Sequence, residues 1–201
     1  GRVTIPTNLG EFPPVAPSPI QHRWLDKICR ELTVEEIHTL VRRFGEGAYN
    51  AKRAGFDGVQ IHAVHEGYLI DQFAISLFNH RTDEYGGSLE NRLRFAREIV
   101  EEIKSRCGQD FPVVLRYSPK SFIKALREGA LPGEEFEEKG RDLDEGIEAA
   151  KLLASYGYDA LDVDVGSYDA WWWSHPPMYQ EKGLYMPYAK LVREAVNVPV
   201  L

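Results

Sequence analysis

The chain has 201 residues, 43% hydrophobic and 27% charged, with a formal net charge of −7. That is the make-up of a soluble globular domain long enough to bury its own core. No apolar run of about 18 residues is present, so no transmembrane helix is predicted, and no apolar signal segment follows Gly1-Arg2-Val3-Thr4-Ile5. The acidic balance without a basic cluster argues against nucleic acid as a partner. Cys29 and Cys107 match no zinc or redox spacing and read as free thiols of a reduced, cytoplasmic compartment. The absent initiator methionine leads us to expect that the natural N-terminus lies elsewhere.

Residues 1–32 carry Pro6, Pro13, Pro14, Pro17 and Pro19, which fix φ and remove donors, so an extended loop is expected. Phe12, Ile20 and Trp24 are expected to pack parts of it. Thr33-Val34-Glu35-Glu36 reads as a capping box opening a helix with Ile37, Leu40, Val41, Phe44 and Ala48 on one face. That helix should end at Ala54-Gly55. Residues 56–62 read as a buried strand, followed by a long polar loop to Gly86-Gly87. Ser88 caps a second helix that Gly108 stops. Residues 112–118 form a second strand, and a charged insertion runs from Lys120 to Arg141. A third helix spans Asp142 to Tyr156 with a box-like Asp142…Glu145 start. A third strand covers 160–165, an aromatic loop runs from Tyr168 to Tyr185, a helix spans 187–196, and a fourth strand opens at Val198.

Alternating strands and helices imply a parallel sheet with right-handed crossovers. The loops after strands are long and those before strands are short. That asymmetry fits a (β/α)8 TIM barrel, whose function sits at the C-terminal strand ends. A doubly wound sheet competes, but the glycine-rich phosphate turn it usually carries is absent. The expectation is an α/β fold: a partial TIM barrel of about four parallel strands with crossover helices, truncated at both ends. Residues 1–32 would be a loop over the barrel mouth, and residues 33–201 the central part of the barrel domain.

In the first strand Gln60 and His62 share one face, opposite Val59 and Ile61. His65 and Tyr68 follow where the chain turns. Two imidazoles can hold an oxygen that gains negative charge, and a phenol can supply a proton. A metal pair or structurally satisfied histidines remain alternatives for His62-x-x-His65. Arg116 shares its strand face with Val114 and Ser118; an inward arginine needs a partner, and Asp162 or Asp164 could supply it. The other reading of Arg116 is a guanidinium holding the electron-rich edge of a cofactor.

The stretch from Gly55 to Phe73, followed by Asn79 to Arg92, strongly resembles the Old Yellow Enzyme family of FMN-dependent reductases. Pattern-like agreement spans Ala16 to about Ser118, and looser agreement reaches the end. The resemblance implies that His62 and His65 bind the substrate carbonyl oxygen, that Tyr68 donates the proton, and that Arg116 faces the N1–O2 edge of FMN, where positive charge stabilises reduced flavin. Many classical members carry Asn at the position of His65. The loop from Arg81 to Arg92 would brace the strand end. Val64 to Tyr68 and Tyr168 to Pro177 resemble the multidomain anaerobic branch of 2-enoate, 2,4-dienoyl-CoA and bile-acid 3-oxo-Δ4 steroid reductases. There an FAD/NAD-binding domain and a 4Fe–4S cluster follow the barrel, and the resemblance places both outside these residues. The flavin-contacting glutamine would lie before Gly1 and the phosphate-binding residues after Leu201, so these residues alone should bind FMN poorly.

Trp171-Trp172-Trp173 reads either as packing on the barrel rim or as an apolar wall for a flat substrate. His175 is a second acid–base or substrate-contact candidate, because dienoyl-CoA reductases place a catalytic histidine in this loop. The implied reaction passes hydride from NAD(P)H through FMN to the β-carbon of a small-molecule enone or enoate. Enoates, enoyl-CoA thioesters, flavonoids and steroid enones all suit it, with no membrane partner and with homo-oligomers in the intact protein. The rivals are a flavin-free barrel lyase or isomerase using the same histidines, and a non-catalytic barrel segment.

Overall fold

The computed structural model describes residues 1–65 and 68–201; Glu66 and Gly67 of the candidate loop lie outside the described residues. The proline-rich start holds a short helix α1 (Pro6–Leu9) and two short parallel strands, β1 (Val15–Ala16) and β2 (Arg30–Glu31). It is therefore less irregular than its prolines predict. Ile20 is buried as expected, but Phe12 and Trp24 are 81% and 53% exposed, which corrects the expectation that they pack. Arg2 is the buried anchor of this segment. It pairs with Asp169 and lies over the Phe78 ring.

Helix α2 (Val34–Arg53) begins with the expected reciprocal box: Thr33 Oγ1 accepts from the Glu36 amide, and the Glu36 carboxylate accepts from the Thr33 amide. It ends in a Schellman turn, with Gly55 at φ 91°, its amide on Lys52 and the Phe56 amide on Ala51. Strand β3 (Val59–His62) follows. The expected polar loop contains helix α3 (Leu69–Ala74), whose side chains are mostly buried. The expected single second helix is two, α4 (Leu89–Arg92) and α5 (Arg94–Cys107), with Leu93 between them. The break coincides with the buried Arg92, whose guanidinium donates to the Ala74 carbonyl and forks onto Glu145.

Strand β4 (Val113–Tyr117) leads into the charged insertion. The insertion folds an unforeseen hairpin, β5 (Ile123–Ala125) with β6 (Glu128–Gly129). Its far end is pinned by Arg141, which donates to the Ser118 carbonyl and pairs with the buried Asp71 at 2.9 Å. Helix α6 (Leu143–Ser155) has only half of the expected box. Asp142 accepts from the Glu145 amide, while the Glu145 carboxylate is taken by Arg92. Strand β7 (Ala160–Val163), helix α7 (Trp171–Ser174) and helix α8 (Met186–Ala195) complete the chain.

Strands β3, β4 and β7 form one parallel sheet in that order. The fourth strand takes its place as a parallel bridge, Leu161 to Val200, on the far side of β7. Ile61, Val113, Leu115 and Leu161 point to the helix layer, where Ile37, Phe95, Ile99 and Leu153 close the main core. The opposite face carries Gln60, His62, Val114, Arg116 and Asp162. Among the described residues no helix is long and apolar enough to cross a membrane.

Candidate active site

Parallel register sets the first row of the site. His62, Arg116 and Asp162 are neighbours on adjacent strands, on the face away from the helices. Gln60 Nε2 donates across β4 to Asp162 Oδ2 at 2.7 Å, over the smaller Val114. The expected partner of Arg116 is therefore Asp164, not Asp162. Arg116 Nε and Nη2 lie 3.0 and 2.7 Å from Asp164 Oδ2.

Beyond the strand ends, the chain leaving β3 meets the chain leaving β7. His65 and Ser167 form a parallel bridge, and the Tyr168 amide donates to the His65 carbonyl. Strict alternation would send His65 to the helix side with Ile61. Instead His65 has φ 65°, a left-handed conformation that costs a non-glycine residue about 1–3 kcal/mol and concentrates at functional sites. Its side chain is buried, with Nε2 3.0 Å from Asp164 Oδ2 but not aligned as a hydrogen bond. One carboxylate oxygen thus faces both a guanidinium and an imidazole.

The rings gather around this pair. Tyr68 lies against His62 at 3.9 Å between centroids and is 39% exposed. His65 is 6.1 Å from His62 and 5.8 Å from His175. Trp171 stacks on His175 at 3.8 Å and 8°. Gly166, at φ 88°, permits the turn into this loop; a Cβ there would meet the Ser174 amide at 2.7 Å. The tryptophan run divides. Trp173 stacks on Phe122 at 3.8 Å and donates to the Ala130 carbonyl, which is the packing alternative, whereas Trp171 stacks on His175. Trp172 is 44% exposed and makes no ring contact with this cluster among the described residues.

The electrostatics favour neutral imidazoles at the rim. Burial, and then the Arg116 charge, push the His62 pKa below its usual value. Partial burial and then His65 do the same to His175. Burial and the hydrogen-bonded Tyr68 phenol push the Tyr168 hydroxyl up. Tyr168 and Asp164 are the members of the cluster that sequence reasoning did not place in the site. Asp164 was legible only as a partner for Arg116, and Tyr168 only as the first residue of the aromatic loop that resembles the anaerobic branch. Among the described residues no three His, Cys, Asp or Glu side chains converge as metal ligands.

These groups can hold an anionic oxygen, deliver a proton and face an electron-rich ring. Arg116 keeps 37% of its side chain open on the inner face, and Gln60 and His62 stand beside it, so the donor set fits the electron-rich edge of a flavin.

Comparison with known proteins shows which family the chain resembles. Cinnamate reductase of Clostridium sporogenes is 69% identical over 202 residues, covering 100% of this chain and 30% of its own length. The NADH oxidase of Thermoanaerobacter brockii is 38% identical over 201 residues, 100% of this chain and 29% of that protein. The chain therefore spans about 30% of the length of these curated relatives. Among solved structures, a 2-naphthoyl-CoA reductase complexed with 2-naphthoyl-CoA superposes with a TM-score of 0.78 at 29% identity, over 94% of this chain and 26% of that one. The Old Yellow Enzyme homologue of Zymomonas mobilis gives 0.70 at 29% identity, over 98% of this chain and 52% of that one. The described strands and helices are an open part of the (β/α)8 barrel of these enzymes. With residues 13–200 matching the family model, the chain belongs to the NADH:flavin oxidoreductase / NADH oxidase family.

Proposed function

We propose that the intact protein is an FMN-dependent ene-reductase acting on the double bond of an α,β-unsaturated carbonyl compound, with NAD(P)H as reductant. The observation that carries this reading is the convergence of His62, His65 and Tyr68 beside Arg116 at the C-terminal ends of parallel strands. The hydride for the β-carbon would come from flavin held along Arg116 and Gln60. His62 and His65 hold the carbonyl oxygen, which takes up the electron pair displaced from the double bond. The Tyr68 hydroxyl gives its proton to the α-carbon, so that two hydrogens are added across the bond. Arg116 lends positive charge to the flavin edge.

The substrate class favoured is an aryl-substituted enoate. The 69% identity to cinnamate reductase and the flat Trp171–His175 stack beside Tyr168 support an aromatic substrate over a purely aliphatic one. Residues 1–32 fit a cover for this mouth, since Arg2 and Arg23 both reach Asp169 in the loop after β7. Residues 33–201 then supply the central barrel. The buried free thiols of Cys29 and Cys107 suit a reducing cytoplasm. FAD and a 4Fe–4S cluster belong to this proposal as groups held by other parts of the intact protein.

In the intact protein Tyr68→Phe is expected to slow flavin reoxidation by substrate on the order of 10²-fold or more, with flavin reduction by NAD(P)H near normal. Equal rates of both half-reactions in variant and wild type would remove Tyr68 from the mechanism.

A further inference from the structure

We infer that Asp164 is a positioning residue that couples the cofactor-facing arginine to the substrate-facing histidine through one shared carboxylate oxygen. The inference rests on the function proposed above and goes beyond it by assigning a role to a buried residue behind the arginine and the histidine. Asp164 follows β7, in alternation with Asp162, and is 3% exposed. Its Oδ2 accepts from Arg116 Nε and lies 2.7 Å from Nη2 and 3.0 Å from His65 Nε2. Among the described residues its Oδ1 is buried with no hydrogen-bond partner, and so is His65 Nε2. A buried carboxylate held this way on one oxygen is costly unless its charge is used.

Two consequences follow from one oxygen facing both a guanidinium and an imidazole. The carboxylate offsets part of the Arg116 charge and so tempers the field at the flavin edge. It also fixes the ring of His65, whose strained backbone places the imidazole between Asp164 and His62. Movement of Arg116 toward a bound ring frees Oδ2 for His65, and tighter engagement of His65 frees Arg116. The two clamps are therefore not independent.

The test is Asp164→Asn in the intact enzyme, which keeps the shape and removes the charge. The flavin midpoint potential is expected to rise, because Arg116 is no longer offset and reduced flavin is stabilised. The KM for an aryl enoate is expected to rise about tenfold, the scale of one lost coupling between buried side chains in contact, with kcat changed less. A purely structural role would not move the potential. Asp164→Glu, which keeps the charge, should restore the potential. If Asp164→Asn does not fold or hold flavin, His65→Gln and Arg116→Lys are combined instead: the assignment predicts that their effects on KM are non-additive, and additive effects overturn it. A wild-type protein without flavin would sink the function proposed above. A wild type that turns over normally beside an Asp164→Asn variant unchanged in both potential and KM would overturn the Asp164 assignment alone.

Discussion

His22 shows how a single buried side chain ties this chain to pH. Its Nδ1 accepts from the amides of Trp24 and Leu25, and its Nε2 lies 3.1 Å from the Thr4 carbonyl. That arrangement needs a neutral ring with the proton on Nε2, since a protonated Nδ1 cannot accept. Burial accordingly lowers its pKa from 6.5, and burial followed by Arg116 lowers that of His62. As pH falls below about 6.5 the unfolded chain binds protons that the folded chain refuses, so stability is present above that value and lost as pH falls toward the lower folded values. Urea midpoints measured from pH 7.5 to 5.5 should fall, and His22→Asn, which keeps an acceptor without titrating, should flatten the slope. An unchanged slope in that variant would count against the role given to His22. In the sequence, strand alternation set His62 on the face opposite Ile61, and Tyr68 was singled out by its place after the strand as well as by family resemblance. His65 could not be read from alternation, because its left-handed backbone breaks the pattern.

Elements with a local signal formed where expected. The Thr33–Glu36 box and the Gly55 turn bracket α2 because capping chemistry is contained within a few residues. The hairpin β5–β6 was hidden for the converse reason. Its strands are three and two residues long, and Phe122 and Arg127 take positive φ through contacts made far along the chain. Glu145 was misassigned as a box partner because Arg92, 53 positions away, competes for its carboxylate. The turn at Gly166 is where element geometry reaches the site. Its amide donates to the Lys120 carbonyl, and its α-hydrogen faces Ser174 and Trp173. Gly166→Ala adds a Cβ to a left-handed residue pressed against backbone, and should cost about 1–3 kcal/mol. It should also disturb the Trp171–His175 stack. Urea unfolding reads the first effect and tryptophan fluorescence the second; wild-type behaviour in both would show that the loop does not depend on this glycine.

Across the whole molecule, element order and loop lengths were enough to read a parallel α/β sheet of a partial barrel. The spatial meeting of β3 and β7 beyond the end of β4 was not, because non-adjacent strands meet only once the sheet has folded. That meeting brings His65, Asp164 and Tyr168 together and joins the halves of the site. The N-terminal segment adds a third component through the Arg2, Arg23 and Asp169 contacts. The central claim is that this site reduces a carbonyl-activated double bond with electrons from flavin. Its most direct test is anaerobic: the flavin of the intact protein is reduced with one equivalent of NADH or NADPH, then mixed with cinnamate in a stopped-flow spectrometer. The account predicts that the oxidised flavin bands return at a rate that rises with cinnamate, with one equivalent of saturated acid formed per flavin. Flavin that stays reduced in the presence of cinnamate and of other enones, or a protein with no flavin bands, would contradict it.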